Sequence, residues 1–498
     1  MPDNSSMRHS KSRVLKSFAW SFMERIGVRF VNLLVQIVLA RILDADAFGV
    51  IAILLVVVNV ADSIAMSGLG MALVQGDDIT EESFSTAFWL SLGLSGIIYL
   101  ILFVGAPVMS SFYSMPTLAT YMRVLSLVVL FDGINSIQRA YLQKNMDFKR
   151  LFVTNTISAL TSGVIGVVMA IMGLGVWALI WQTLSQAICV CLVLLFVVPW
   201  KPALVFNRSI AGGLFSYGWK ICATSILNVF YTGISDLILG RTCSSSDLGM
   251  YSQGRKWPNA VITLVTNALQ NVLFPAFAEL KNDMEAFRHA ARKALVAGTF
   301  IAVPAVTCFA VVAEPLIAIL LTEKWLPAKR IFQMLCISNA VLIIQLVNLR
   351  AYMALGASGF YLRIQIVKVA LGVLVIGGTA YIARDIYAVA FATAALGVFN
   401  ILVVDTWGAK RMFGYSRAEQ LRDVWKIYLV ALVAGIIAWV PAFFLDSYVL
   451  RLIIQTAIFC GAYLLIARSI RLEGYSDCMR ILKDGLHALK RRGERSKL

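Results

Sequence analysis

Fourteen stretches of about 20 mostly apolar residues, each long enough to cross a bilayer as a helix, set the terms on which this chain can fold. They lie near 20–40, 47–69, 84–107, 119–138, 152–172, 176–198, 215–239, 250–273, 294–321, 331–354, 362–382, 386–405, 427–446 and 450–468. In hydrocarbon a segment has to satisfy its own backbone N–H and C=O groups, and runs of this length do so as helices. The expected fold class is therefore an all-α polytopic membrane protein with about 14 transmembrane helices. Composition agrees, with 59% of the 498 residues apolar and only 14% charged, whereas about 25% is charged in a soluble domain. Aqueous enzymes are disfavoured on these figures.

The first segment, MPDNSSMRHSKSRVLKSF, is basic and precedes an apolar run, and Asp44-Ala45-Asp46-Ala47 imitates a leader cleavage site. Cleavage there would make the leader longer than the usual 15 to about 30 residues, so it is read as an uncleaved first span. The eight cysteines are scattered without a CxxC pair, and the three histidines lie near charged segments. Neither a disulfide framework nor a metal site is expected, and no cofactor is implied.

Basic residues concentrate in alternate loops, which orients the chain. Arg8, Lys11, Arg13 and Lys16, then Arg139, Lys144, Lys149 and Arg150, Lys281 to Lys293, Arg363 and Lys368, and Lys410 to Lys426 fall on one side. Far fewer, including Arg41, Arg241, Lys324, Lys329, Arg330 and Arg451, fall on the other. Both termini are expected in the cytoplasm, and the net charge of +17 is topology, with a pull toward anionic membrane lipid and no call for nucleic acid. The tail MRILKDGLHALKRRGERSKL reads as a basic amphipathic helix on the inner leaflet.

Two distant stretches repeat one pattern. LARILDADAFGV at 39–50 and LGRTCSSSDLGM at 239–250 each end an apolar run, place an arginine, cross a polar turn and re-enter at a glycine. Without a gap, Leu39, Arg41, Gly49 and Asn59 match Leu239, Arg241, Gly249 and Asn259. Gly105-Ala106-Pro107-Val108 is read as closing the third span of the first block and Ala313-Glu314-Pro315-Leu316 as lying late in the third span of the second. The expectation is two six-helix lobes in a parallel repeat, 18–200 and 213–406, with a cavity between them. A cytoplasmic tail, 1–17, precedes them. GAKRMFGYSRAEQLRDVWK reads as a linker to two extra spans within 427–468, an appendage, and 469–498 as the basic tail.

Polar residues inside the spans mark the candidate cavity. Arg25, Arg29, Asn32 and Gln36 recur at intervals of four, three and four, which stacks them on one helical face. An arginine facing lipid near a helix centre costs roughly 3 kcal/mol, so a wet interior is the cheaper place for that face. Glu24 is adjacent and suits an ion pair with either arginine. Asn59, Asn228, Asp236, Arg255, Lys256, Asn259 and Arg350 complete the set. Asp62, Asp132, Asn135, Gln345 and Asn348 are further polar groups, several of which serve as helix glue. In QGDDITEESF, Asp78 with Glu81 reads as a helix start. There is no phosphate-binding loop of the Walker type, so ATP hydrolysis by this chain is not expected.

LARILDADAFGV, SGLGMALVQGDDITEESFSTAFWL, QRAYLQKNMDFKRL, LGMYSQGRK, VLFPAFAEL and AEPLIAILLTEKWLPA, in this order from about 39 to 328, resemble the polysaccharide transporter family. That family belongs to the multidrug and oligosaccharidyl-lipid flippase superfamily, and the likeness is to the branch handling colanic acid and related exopolysaccharides. The resemblance implies a two-lobed, MATE-like helical protein of the bacterial inner membrane. It would move an undecaprenyl-diphosphate-linked oligosaccharide repeat unit across the bilayer by alternating access, for exopolysaccharide or lipopolysaccharide synthesis. Glycosyltransferases and a polymerase would be its functional partners. By analogy with lipid II flippases of the same superfamily, Arg25 and Arg29 are the cationic residues of the cavity. Each sugar hydroxyl left unpaired in hydrocarbon costs several kcal/mol, so a polar path is needed. An ion-coupled multidrug exporter on the same fold is the alternative, though it wants intramembrane carboxylates where the first span offers mainly cations. A polymerase or ligase is the remote one, because every outer loop is short.

Overall fold

The computed structural model describes residues 27–66, 68–75 and 79–475; the side chains of Gln75, Tyr217, Lys220, Ile221 and Asn271 are not described. Helix α1 covers 27–42, followed by α2 (Ala45–Met66), α3 (Leu69–Gln75), α4 (Glu81–Tyr113), α5 (Leu118–Leu125), α6 (Leu127–Lys144), α7 (Phe148–Ile171) and α8 (Val176–Val197). Then come α9 (Arg208–Thr242), α10 (Ser245–Glu279), α11 (Met284–Val311), α12 (Ala313–Leu320), α13 (Ala328–Ala340), α14 (Leu342–Ala354) and α15 (Ser358–Ala383). The chain continues through α16 (Ile386–Phe399), a π turn (Asn400–Val404), α17 (Ala409–Phe413), α18 (Arg417–Trp439) and α19 (Tyr448–Ser469). There is no strand among the described residues. Among the described residues, twelve helical segments are long and apolar enough to span a membrane, and α13 with α14 forms a thirteenth, bent by 41°. These thirteen fall on thirteen of the expected spans; of the first, near 20–40, the described residues show helix α1 alone.

Local chemistry fixes the ends. Thr80 and Ser83 form a reciprocal capping box at α4, so Thr80 performs the capping assigned above to Asp78, which lies outside the described residues. Asp147, Asn207, Asp283 and Asp385 cap α7, α9, α11 and α16 through their side chains, satisfying N–H groups that no helix can satisfy alone. A second capping box, Ser416 with Glu419, starts α18 at Arg417. The expected linker is thus largely helical, because the capping pair lies upstream of the apolar run. Pro107 sits inside α4, which runs on to Tyr113, so it does not close its span as expected; Ala313 opens the separate α12, so Pro315 lies just past α11 rather than late within it.

The chain divides into two compact units, up to Gly249 and from Met250. The seam falls inside α10, so α9 is grouped by contact with the first unit although the repeat places it in the second lobe. Its glycines explain the grouping. A Cβ on Gly218 would lie 2.8 Å from Gly68 Cα, one on Gly233 2.5 Å from Val56, and one on Gly240 2.6 Å from Ile53. Since lipid is as apolar as leucine, close backbone approach and interhelical hydrogen bonds are what join membrane helices. Elsewhere in this unit Ser91 Oγ donates to Gly133 O at 3.0 Å and Asn135 Nδ2 to Ala187 O at 3.1 Å. Phe84, Tyr141 and Trp200 cluster with centroids 5.3 to 6.0 Å apart.

The repeated stretches have one conformation. Two residues separate α1 from α2 and two separate α9 from α10, with Leu43 N donating to Leu39 O at 2.8 Å and Cys243 N to Leu239 O at 2.9 Å. The two turns also meet: a Cβ on Gly49 would fall 1.8 Å from Ser245 O and one on Gly249 1.9 Å from Ala45 O. Ser245 Oγ donates to Asp46 Oδ1 at 2.7 Å. The glycines therefore serve the contact of one turn with the other, and all these residues lie in the first unit.

In the second unit, α18 and α19 are built into the helices before them, and are not an appendage. Ile427, Val430, Ala434, Phe459 and Tyr463 share a buried core with Val296, Phe300 and Val303 of α11. Arg288 pairs with Glu419 at 2.7 Å and Arg292 with Asp423 at 2.9 Å. Glu314 of α12, which follows the α11 span, accepts from Lys329 at 2.8 Å and from Arg451 of α19 at 3.2 Å. Those two cations, the Lys329 hydrogen bond first, hold the Glu314 carboxyl below its ordinary value.

Candidate functional site

The predicted polar face of the first span is described only in part. Glu24 and Arg25 lie outside the described residues. Arg29 is exposed and Asn32 and Gln36 are half-buried, with Gln36 Nε2 donating to Gln182 Oε1 of α8 at 3.4 Å. Beside them, Gly163 of α7 makes room for Val35, whose Cγ2 a Cβ would meet at 2.4 Å. Asn59 and Asn228 are exposed on α2 and α9, their carbonyls accepting from Ser63 and Thr232. Asp236 is buried next to Ser235.

The second unit holds the other four. Arg255 is half-buried, its guanidinium 5.7 Å from the Tyr251 ring centroid, and Lys256 beside it is half-buried too. Asn259 is exposed, and its Oδ1 accepts from Asn339 Nδ2 of α13 at 3.0 Å. Arg350, half-buried on α14, donates Nη2 to Gln270 Oε1 of α10 at 2.7 Å and faces Met353 Sδ at 4.0 Å.

These geometries share a chemical theme. Gln36, Asn259 and Arg350 each meet a neutral amide, from Gln182, Asn339 and Gln270. For the two amides that is ordinary helix glue. For Arg350 it is different, since Gln270 orients the guanidinium without neutralising it, and no carboxylate pairs with it among the described residues. An oriented cation with spare planar donors suits a phosphate.

Several polar groups were missed or misplaced from sequence. Lys368, counted with a cytoplasmic loop, lies inside α15 with its side chain 2% exposed, 3.1 Å from Asp405, whose side chain is fully buried. A lone lysine between apolar runs looks interfacial, and its partner lies 37 residues away, beyond any helical window. Gln345 lies beside the Asp405 carboxylate, and Tyr352 donates to the Asp405 carbonyl at 2.8 Å. Asn348 and Gln420 exchange amide hydrogen bonds at 2.8 and 3.0 Å. In the first unit, Asp132 accepts from Asn135 at 3.3 Å and bears electrostatically on Asp62.

A bundle of membrane-crossing helices with interior amides and arginines defines a polytopic protein of transporter type. A family model described as "Polysaccharide biosynthesis protein" matches residues 38–330, more than half of the chain, and the chain belongs to that family. The succinoglycan biosynthesis transport protein ExoT of Rhizobium meliloti is 27% identical over 331 residues, 66% of this chain and 67% of that one. The lipopolysaccharide biosynthesis protein WzxC of Escherichia coli is 25% identical over 329 residues, with the same coverage. The teichuronic acid biosynthesis protein TuaB of Bacillus subtilis is 25% identical over 380 residues, 75% of this chain and 77% of that one. Among solved structures, the lipid II flippase MurJ in an inward closed conformation has a TM-score of 0.71 at 13% identity, covering 90% of this chain and 99% of its own. An inward-facing multidrug resistance MATE family transporter has a TM-score of 0.62 at 15% identity, covering 80% and 97%. At such identities the likeness is one of fold.

Proposed function

We propose that this protein is a flippase, not an enzyme, that carries undecaprenyl-diphosphate-linked oligosaccharide repeat units across the inner membrane of a bacterium by alternating access. The units would then be polymerised into exopolysaccharide or lipopolysaccharide chains, which ties the protein functionally to glycosyltransferases and a polymerase. Both termini face the cytoplasm in this reading. The observation that carries it is Arg350, an arginine inside a membrane span held by an amide and left with its charge, in a chain of the polysaccharide biosynthesis protein family. A diphosphate supplies the missing anion, the sugars meet amides such as Asn259, and the polyprenyl tail stays in lipid; in the first unit, Asn59 and Asn228 are likewise assigned to sugar.

Arg25 and Arg29 are assigned an anion-binding role in the first unit, with Glu24 as their ion-pair partner, and Asn32 and Gln36 extend their face. Arg255 and Lys256 are assigned to the outer half of the path, and Asp236 to its outer end. The test is charge reversal. Arg25→Glu with Arg29→Glu should abolish glycan export in a deletion strain and leave lipid-linked single units on the cytoplasmic side. Undiminished export at normal abundance would remove the first span from the site.

A further inference from the structure

The second unit contains a mechanical link between Arg350 and a buried ion pair. On α14, Gln345, Asn348 and Tyr352 follow one another at intervals of three and four, so they share a face. Two of them are bonded to buried groups and the third lies beside one. Asn348 exchanges hydrogen bonds with Gln420 of α18, Tyr352 donates to Asp405 O, and Gln345 lies by the Asp405 carboxylate. Arg350 falls on the opposite side of the same helix and reaches α10 through Gln270. The helix that carries it is the second half of the one bent span, broken from α13 at Val341 with a 41° change of direction. Half-helices of this kind are the movable or site-lining pieces of many transporters.

The far end of the link is fixed by charge. Asp405 follows the one π turn among the described residues, with its N–H donating to Asn400 O at 2.8 Å. One extra residue in a helical turn rotates everything after it, and here it leaves the carboxylate facing Lys368, whose Nζ lies 3.1 and 3.3 Å from its two oxygens. Replacing a sealed pair like this by apolar side chains is commonly neutral for stability, so stability alone is a poor account of it. What the charges add is direction. Asp405 is held in one place by Lys368, and α14 is hung on Asp405 through the Tyr352 hydroxyl, with Gln345 beside the carboxylate.

We propose that α14 is a lever. The Lys368–Asp405 pair is its fixed point, Arg350 is its working end, and Lys368 and Asp405 are positioning residues for the anion contact. This rests on the flippase reading for the role of Arg350. When Arg350 leaves Gln270 for a phosphate, α14 either turns against the buried Asn348 and Tyr352 bonds or moves as a body with the π turn and α18. In both cases binding at Arg350 and the state of the pair are coupled.

The experiment is a double-mutant cycle in the full chain. Arg350→Gln is one arm and Lys368→Met with Asp405→Leu, a charge-free replacement that keeps the volume, is the other. Glycan export is measured in a deletion strain at matched abundance, and binding of undecaprenyl diphosphate and of undecaprenyl monophosphate is measured on purified protein in nanodiscs. Each arm should lower export by about tenfold or more, and both together should be no worse than Arg350→Gln alone, as expected for groups acting through one element. The pair replacement should also erase the preference for diphosphate over monophosphate. Losses that multiply to about a hundredfold would overturn the lever, since independent sites behave that way. Normal export from the charge-free pair would overturn it as well. Normal export from Arg350→Gln, with the pair still needed, would instead remove Arg350 from the site and so distinguish failure of the site assignment from failure of the coupling.

Discussion

Lys368 and Asp405 show how unevenly a buried charge weighs on stability. Lys368→Met alone leaves the Asp405 carboxylate in a sealed interior without its counter-ion, and the loss should be about 3–5 kcal/mol. Adding Asp405→Leu should return most of it. Thermal unfolding of the three proteins in detergent checks this, and a double variant no more stable than the single would contradict it. Gly49 is the steric counterpart. An alanine there drives its methyl into the Ser245 carbonyl, a backbone atom that cannot swing aside, and overpacking of this kind costs about 1–3 kcal/mol. An unchanged melting temperature for Gly49→Ala would show that the turns separate freely. Gly49 was legible from sequence because its echo at Gly249 stands 200 positions on in a matching context. Lys368 was not, because a charge is judged interfacial or buried by its partner, and the partner is distant in sequence.

The spans themselves were the legible elements, since length and apolar content suffice to name a membrane helix. Their ends and breaks were less so. The start of α18 moved upstream of its apolar run because Ser416 and Glu419 cap it, and the bend at Val341 has no glycine or proline to announce it. Interhelical amides were equally silent. Asn348 was named as a polar residue of its span, but its partner Gln420 lies in what reads as linker. That pair gives a prediction for the element: Gln420→Leu leaves the Asn348 amide buried without its exchange partner, at about 1–3 kcal/mol. Asn348→Leu added to it should restore stability. If Gln420→Leu is neutral in a thermal melt, α18 is held by its apolar seam and its arginine pairs alone. Tyr415, in the turn before α18, belongs to the same anchor: burial, and then its 2.7 Å bond to Asp423, push its phenol well above the ordinary value, so it stays a donor at every physiological pH.

For the molecule as a whole, the repeat read from 39–50 and 239–250 reappears as two identical turns, yet the compact units divide at Gly249 rather than between the expected lobes. A repeat describes the order of helices along the chain, and packing follows whichever faces carry glycines. The glycines of α9 face α2, a preference visible only once the helices are in place. The family likewise was legible over nearly the stretch that the family model covers, 38–330. Beyond it, α14 to α19 carry the buried charge pair and the amide exchange that no resemblance announced.

The placing of Lys368 bears on how the protein is made. Asp405 lies 37 residues after Lys368, and at roughly 5–20 residues per second the ribosome needs a few seconds to supply it. During that interval α15 holds an ammonium in its middle with no counter-ion, at a cost of about 2.5–3.5 kcal/mol on the insertion scale. Helix α15 is thus a poor candidate for release into lipid on its own. The stretch from α15 through α16 and the π turn to Asp405 is the smallest piece in which the charge is answered, and it is the natural unit for the insertion machinery to let go.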